Sequence, residues 1–108
     1  MKSISIQEFV DATGKSPFAK WFDDLAAVTA AKVTVALSRL GAGNFSNVEG
    51  VGGGVFEYKI DFGPGYRIYF GKESEHLVIL LCGSSKKDQQ KMIDKAKAFW
   101  KLYKASKR

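Results

Sequence analysis

The residues best suited to chemistry in this 108-residue sequence lie in two neighbouring segments, residues 55–62 and residues 66–71, which both alternate apolar with polar side chains. The polar members are Glu57, Lys59, Asp61, Arg67 and Tyr69. Alternation of this kind is typical of β-strands and places these side chains on one face of a sheet. A set that combines cations, carboxylates and a phenol can bind a phosphate group and move protons around it.

The connection Gly63-Pro64-Gly65 joins the two segments and predicts a β-hairpin. A symmetric loop places Phe62 opposite Tyr66, Asp61 opposite Arg67 and Lys59 opposite Tyr69. The polar side chains then form a single patch. The alternative interpretation is a solvated sheet face with cross-strand ion pairs and no further role.

Helices and further strands must position this hairpin. Alternation at Ile4 and Ile6 predicts a short first strand that ends near Phe9. Ser16 and Pro17 are an N-cap and a first helical residue, and they begin a short amphipathic helix. A second helix is predicted from an N-cap at Thr29 to a left-handed stop at Gly41.

The second half of the chain supplies the rest of the sheet and a terminal helix. Residues 41–54 contain six glycines and predict a loop with one short extended piece near residues 47–51. Residues 76–82 are apolar on both faces, as in a strand covered on both sides. Apolar residues from Met92 to Tyr103 recur at helical spacing. We therefore expect a single α+β domain over residues 1–108, with two N-terminal helices and a C-terminal helix packed on a mostly antiparallel sheet of four to five strands.

The positive charge is concentrated at the carboxyl end. Residues 1–85 hold eight Lys and Arg against nine Asp and Glu, which gives −1, and residues 86–108 hold nine against two, which gives +7. Their sum is the net charge of +6. A basic helix of this kind attracts RNA, DNA or an acidic protein, although a merely solvated helix face has the same composition.

Other classes of site and location have little support. The only cysteine, Cys82, lies in an apolar run, so we expect a buried residue in a reducing compartment. The lone His76 follows a polar turn and is expected at the surface. No spacing of histidine, cysteine and acidic residues indicates a metal site, and we expect neither metal nor cofactor. We also expect a cytoplasmic protein, because no signal peptide or membrane-spanning run is evident.

Several segments together resemble the RelE/ParE toxin superfamily, in particular its HigB-like branch of addiction-module killer proteins from type II toxin–antitoxin systems. The resemblance spans nearly the whole chain. Its carriers are Gly43-Asn-Phe-Ser-Asn-Val48, Gly54-Val-Phe-Glu-Tyr-Lys-Ile-Asp61, Gly63-Pro-Gly-Tyr-Arg-Ile-Tyr-Phe70 and Leu80-Leu-Cys-Gly-Ser-Ser-Lys-Lys-Asp-Gln-Gln90. It implies a RelE-like fold and toxin activity.

Ribosome-dependent members of this superfamily cut mRNA without a metal, through attack of the ribose 2′-hydroxyl on its own 3′ phosphate. Arg67 matches the arginine of the family's Gly-Tyr-Arg motif, and a guanidinium holds phosphate bidentately. Lys59 matches a strand lysine that binds phosphate or accepts the proton. Lys86, at the start of the last helix, is expected to offset the charge of the leaving group. Glu57 is a second candidate for the base.

Two departures from the family pattern shape the remaining expectations. Residues 88–93 contain neither the tyrosine nor the histidine that relatives place there, and Tyr69 or Tyr66 is the candidate substitute. Asp61 replaces a second lysine of RelE and is expected to pair with Arg67. Phosphate or RNA binding is further assigned to Lys87, Lys91, Lys95 and Tyr66.

The resemblance leaves three functions open: a ribosome-dependent mRNA endoribonuclease, a ParE-like inhibitor of DNA gyrase, and a non-catalytic module that binds an antitoxin and DNA. All three imply a cognate antitoxin, expected to be of the helix-turn-helix type, and contact with operator DNA only through it. The first also implies the ribosome and mRNA as partners. None involves a membrane.

Overall fold

Five strands form one sheet in the order β1-β5-β4-β3-β2 in a computed structural model that describes residues 3–107. The elements along the chain are β1 (Ser5–Glu8), α1 (Pro17–Asp23), α2 (Ala27–Gly41), β2 (Val48–Gly52), β3 (Val55–Ile60), β4 (Tyr66–Ser74), β5 (Leu77–Ser85) and α3 (Gln89–Ser106). Neighbouring strands are antiparallel except β1 and β5, which are parallel. The predicted α+β architecture, with three helices on a mostly antiparallel sheet, is confirmed.

The sheet is covered on both faces. One apolar cluster joins α1 and α2 to one face through residues such as Phe18, Leu40 and Phe70. The other joins α3 to the opposite face through residues such as Trp100 and Ile79. β5 is buried along most of its length, as its doubly apolar sequence predicts. None of the helices among residues 3–107 is long and apolar enough to cross a membrane.

The ends of the first two helices test the predicted caps. Ser16 caps α1 as expected, because its Oγ accepts a hydrogen bond from the Ala19 N–H at 3.0 Å. The predicted cap at Thr29 is wrong: the N-cap of α2 is Ala26, three residues earlier, and it makes no side-chain cap bond. Thr29 is instead buried within the first helical turn, so packing decides this boundary.

The predicted left-handed stop is also displaced, from Gly41 to Gly43, which has a φ of 86°. The Gly43 N–H donates to the Leu40 carbonyl and the Asn44 N–H to the Arg39 carbonyl, both at 2.9 Å. These two bonds form a Schellman motif, which satisfies carbonyls at the end of α2. The helix therefore stops where the chain turns towards β2.

A tryptophan ring lies against a glycine on each face of the sheet. Trp21 of α1 covers Gly83 of β5, and Trp100 of α3 covers Gly71 of β4. A Cβ atom built on Gly71 would lie 2.5 Å from the Trp100 ring, so only glycine allows this close approach. The contact fixes the distance between α3 and the sheet beside the polar residues of the hairpin.

We predict that Gly71→Ala lowers the free energy of unfolding by about 1–3 kcal/mol, because the new methyl group overpacks the contact with Trp100. Gly50→Ala is the matched control, since the nearest atom to its built Cβ, in Phe56, is 3.8 Å away. Urea unfolding of both variants and the wild type measures the difference. Equal stabilities of the two variants would contradict this view of the packing.

Candidate functional site

The strand register of the hairpin differs from the predicted one. Lys59 faces Arg67 and Glu57 faces Tyr69, a shift of two residues from the symmetric arrangement. The cause is a longer connection, residues 61–65, in which Gly63 and Gly65 have φ values of 56° and 89°. A shift of two residues keeps every side chain on its face, so the polar residues still share one side of the sheet.

Asp61 differs most from its predicted position, because it lies in the connection after β3 and is exposed. The predicted pair between Asp61 and Arg67 is therefore wrong. The nearest carboxylate to Arg67 is Glu57, whose Oε1 lies 3.8 Å from the Arg67 Nε.

Helix α3 covers part of the polar face, which is why a solvated face is also the wrong description. Glu57 is 2% exposed, Tyr69 is 0% exposed and Arg67 is 9% exposed. Lys59 and Lys86, nearer the end of the hairpin, remain accessible to solvent. The polar residues thus divide into a buried group and an accessible group.

The accessible lysines and the largely buried Arg67 line an open groove of about 660 Å³ at the carboxyl end of β3, which we call the hairpin groove. Its lining includes Lys59, Arg67 and Lys86, together with Glu49, Asp61 and the Gly63-Pro64-Gly65 loop. Three of the five predicted catalytic residues are therefore brought together, although they come from β3, β4 and the turn before α3.

Each of the three cations is positioned differently. Arg67 donates from Nη1 to the carbonyl of Tyr66 at 3.3 Å, while its buried Nε has no hydrogen-bond partner among the described residues. The backbone N–H of Lys86 donates to the Gly65 carbonyl at 2.9 Å, which ties the start of the last helical segment to the hairpin loop. Lys59 forms a 3.0 Å ion pair with Glu49, in which the lysine side chain is 41% exposed and the glutamate side chain 65%.

The buried group is held by α3 and β5. Gln89, the first residue of α3, donates from Nε2 to both carboxylate oxygens of Glu57, at 3.0 and 3.2 Å. The hydroxyl groups of Tyr69 and Ser84 are hydrogen-bonded at 2.9 Å. Burial raises the pKa of Tyr69 to about 12. Glu57 and Tyr69 therefore lie beneath the groove and do not line it.

The predicted RNA-binding residues do not form one site. Lys87 and Lys91 are exposed around the start of α3. Tyr66 and Lys95 line a second groove, of about 410 Å³, between α1 and α3. None of the four lines the hairpin groove: Lys87 and Lys91 lie beside it, and Tyr66 and Lys95 belong to another surface.

The roles of two site residues were not predicted from the sequence. Glu49 lies in the glycine-rich segment, where no alternation marks it, and only its pairing opposite Glu57 brings it to the groove. Gln89 was recognised only as part of the family resemblance, not as a partner for Glu57. Of the other singled-out residues, His76 is exposed and Cys82 is buried, as predicted. Within residues 3–107, no group of three or more histidine, cysteine and acidic residues could hold a metal ion.

Comparison with known proteins identifies a relative of this chain. The chain is 43% identical over 81 residues to an uncharacterized protein of Haemophilus influenzae, and the match covers 74% of this chain and 82% of that protein. This chain belongs to the family of that protein. No protein-family model matches the chain. The family relationship therefore assigns no function to this chain.

The phenol of Tyr69 should be visible in a pH titration. Its pKa is raised from 10.0 to about 12, so the stability that its neutral form contributes is complete below pH 10 and is lost as the pH rises through 12. We expect the tyrosinate absorbance of the folded protein to include a step near pH 12 that belongs to Tyr69. Tyr69→Phe should lack this step and Tyr66→Phe should keep it. Loss of the step in Tyr66→Phe alone would contradict the assignment.

Glu57 should matter for stability because it is the buried counter-charge of Arg67. We predict that Glu57→Gln lowers the free energy of unfolding by about 3 kcal/mol at neutral pH, since it leaves the guanidinium without that charge. Glu49→Gln, whose ion pair is exposed, should cost less than about 1 kcal/mol. Equal decreases in the free energy of unfolding of the two variants, measured in urea, would show that the buried Glu57 carboxylate stabilises the protein no more than the exposed Glu49.

Proposed function

We propose that this protein is the toxin of a type II toxin–antitoxin pair, with a RelE-like fold, and that it stops translation by cutting mRNA on the ribosome. The observation that carries the proposal is the hairpin groove, where Arg67 lies with Lys59 and Lys86 in a cleft open to a polyanion. Such a set of cations is suited to a phosphate whose negative charge increases during reaction.

The proposed reaction is an internal transfer at phosphorus. The 2′-oxygen of one nucleotide bonds to its own 3′ phosphorus, and the bond from phosphorus to the 5′-oxygen of the next nucleotide breaks. The products are a 2′,3′-cyclic phosphate and a 5′-hydroxyl. One proton leaves the attacking hydroxyl and another reaches the departing oxygen, so the reaction needs a base and an acid but no oxidant and no water.

The groove offers a residue for each task. Arg67 binds the phosphoryl oxygens, and its nearly complete burial strengthens this electrostatic contact. Lys86 lies, like the Arg67 guanidinium, beside Gly65, and it offsets charge on the departing oxygen. Lys59 binds phosphate or accepts the proton. Phosphate binding at Lys59 would displace the carboxylate of Glu49, which could then accept the proton of the hydroxyl.

The two remaining catalytic candidates act indirectly in this proposal. Glu57 and Tyr69 are buried and hydrogen-bonded within the protein, so they hold the hairpin and Arg67 in place. Glu57 is therefore not the base in the proposed reaction. No tyrosine is among the residues that line the hairpin groove, so no tyrosine acts there as acid or base in this proposal.

The proposed partners follow from the same charges. Exposed lysines around the start of α3, including Lys87 and Lys91, are available to ribosomal RNA or mRNA. A cognate antitoxin, expected to be a helix-turn-helix protein, would silence the toxin and carry it to operator DNA. Such a pair would act in the cytoplasm.

The direct test adds wild-type and Arg67→Ala protein to a bacterial translation extract and, separately, to naked mRNA, and maps the 5′ ends of the RNA. We expect the wild type to cut only translated message and Arg67→Ala to be slower by at least about 100-fold, the effect of removing one charge-stabilising group. Lys15→Ala is the control, because it removes a cation outside the hairpin groove. Intact message from a wild-type protein that still arrests growth would contradict the proposal and favour inhibition of gyrase.

A further inference from the structure

A second polar groove adjoins the hairpin groove. It encloses about 270 Å³ between α2 and the carboxyl end of β3, and we call it the α2 groove. Asn47, Lys59, Ile60 and Asp61 line both grooves. The two grooves therefore meet at the end of β3, and an extended ligand can pass from one to the other.

The α2 groove adds two cations to those of the hairpin groove. Lys32 and Arg39 come from α2, a helix without any acidic residue. Neither forms an ion pair within residues 3–107. The combined lining contains five cations (Lys32, Arg39, Lys59, Arg67 and Lys86) and two carboxylates (Glu49 and Asp61), which gives a net charge of +3.

The two added cations lie on α2 along the side of the helix that lines the groove. Lys32 Nζ lies 5.2 Å from the centroid of the Phe62 ring, a cation–π contact that keeps the ammonium at the groove. Seven residues separate Lys32 from Arg39, about 10 Å along the helix axis. That distance is close to the rise of three nucleotides in a stacked strand, at roughly 3.4 Å each.

We propose that the α2 groove binds phosphates of the nucleotides that flank the cleaved bond, so that single-stranded RNA runs from Arg67 past Lys59 to Lys32 and Arg39. This inference rests on the proposed function, because it takes the strand in the hairpin groove to be RNA. An acidic helix of a partner protein is the competing occupant. Continuity with the hairpin groove favours RNA, since one polyanion then meets all five cations.

The test measures binding of 2′-O-methyl RNA, which cannot be cut, by NMR titration at several salt concentrations. A dinucleotide occupies only the hairpin groove, whereas an octanucleotide reaches the α2 groove. The variants are Lys32→Ala/Arg39→Ala, Arg67→Ala, and the control Lys15→Ala/Lys20→Ala, which removes two cations elsewhere. Alanine favours helix, so the exposed α2 substitutions leave folding intact.

We expect the α2 double variant to bind the octanucleotide about tenfold more weakly and to bind the dinucleotide like the wild type. The slope of log affinity against log salt should fall by about 1.4 for the octanucleotide, or 0.7 for each lost phosphate contact. Arg67→Ala should weaken binding of both oligonucleotides.

Three other results would contradict either this inference or the proposed function, and they can be told apart. An α2 double variant that matches its control with the octanucleotide overturns the inference, while weakened binding by Arg67→Ala still supports the hairpin groove. Unchanged binding of both oligonucleotides by Arg67→Ala contradicts the proposed function itself. If the double variant loses affinity for a polyglutamate peptide as strongly as for RNA, the α2 groove recognises acidic chains in general and the inference is overturned.

Discussion

The packing of α3 across the polar face of the hairpin is the constraint on which the site depends. It takes Glu57, Arg67 and Tyr69 out of water, and a buried charge or hydroxyl is costly unless the protein provides partners. Glu57 provides the charge opposite Arg67, Gln89 binds both oxygens of Glu57, and Ser84 is the partner of Tyr69. Every one of these partners comes from a different strand or helix, so the site exists only in the folded protein.

The packing of α3 also separates the residues that position Arg67 from the residues that can contact a ligand. The buried carboxylate and its amide partner limit how the Arg67 side chain can move, while the accessible lysines and Glu49 border the groove. A cation held by its surroundings needs little reorganisation when charge increases on a bound phosphate, and low local polarity strengthens the attraction. Lys59 is the opposite case, because its exposed ion pair with Glu49 can exchange for a ligand at little cost.

Periodicity predicted the elements and the face of each strand residue, because alternation and helical spacing are local properties. It could not predict the register of the hairpin, since the five-residue connection depends on two left-handed glycines and on Phe62 packing against the α2 side of the core. It also could not predict which face α3 covers: the aromatic stripe of that helix indicates burial but names no partner. Glu49 was missed for a related reason, because its place is set by pairing with β3 and not by any pattern in its own segment.

The proposed mechanism requires that RNA is cut through the 2′-hydroxyl beside the broken bond, with Arg67 at the phosphate. The most direct measurement maps a cleavage site in a translated message and then replaces the single nucleotide before that site by its 2′-deoxy form. We expect that the substituted message is translated but no longer cut at that position, whereas the same substitution one codon away leaves cleavage unchanged. Cleavage of the substituted message at the original rate would show that the neighbouring 2′-hydroxyl is not the nucleophile.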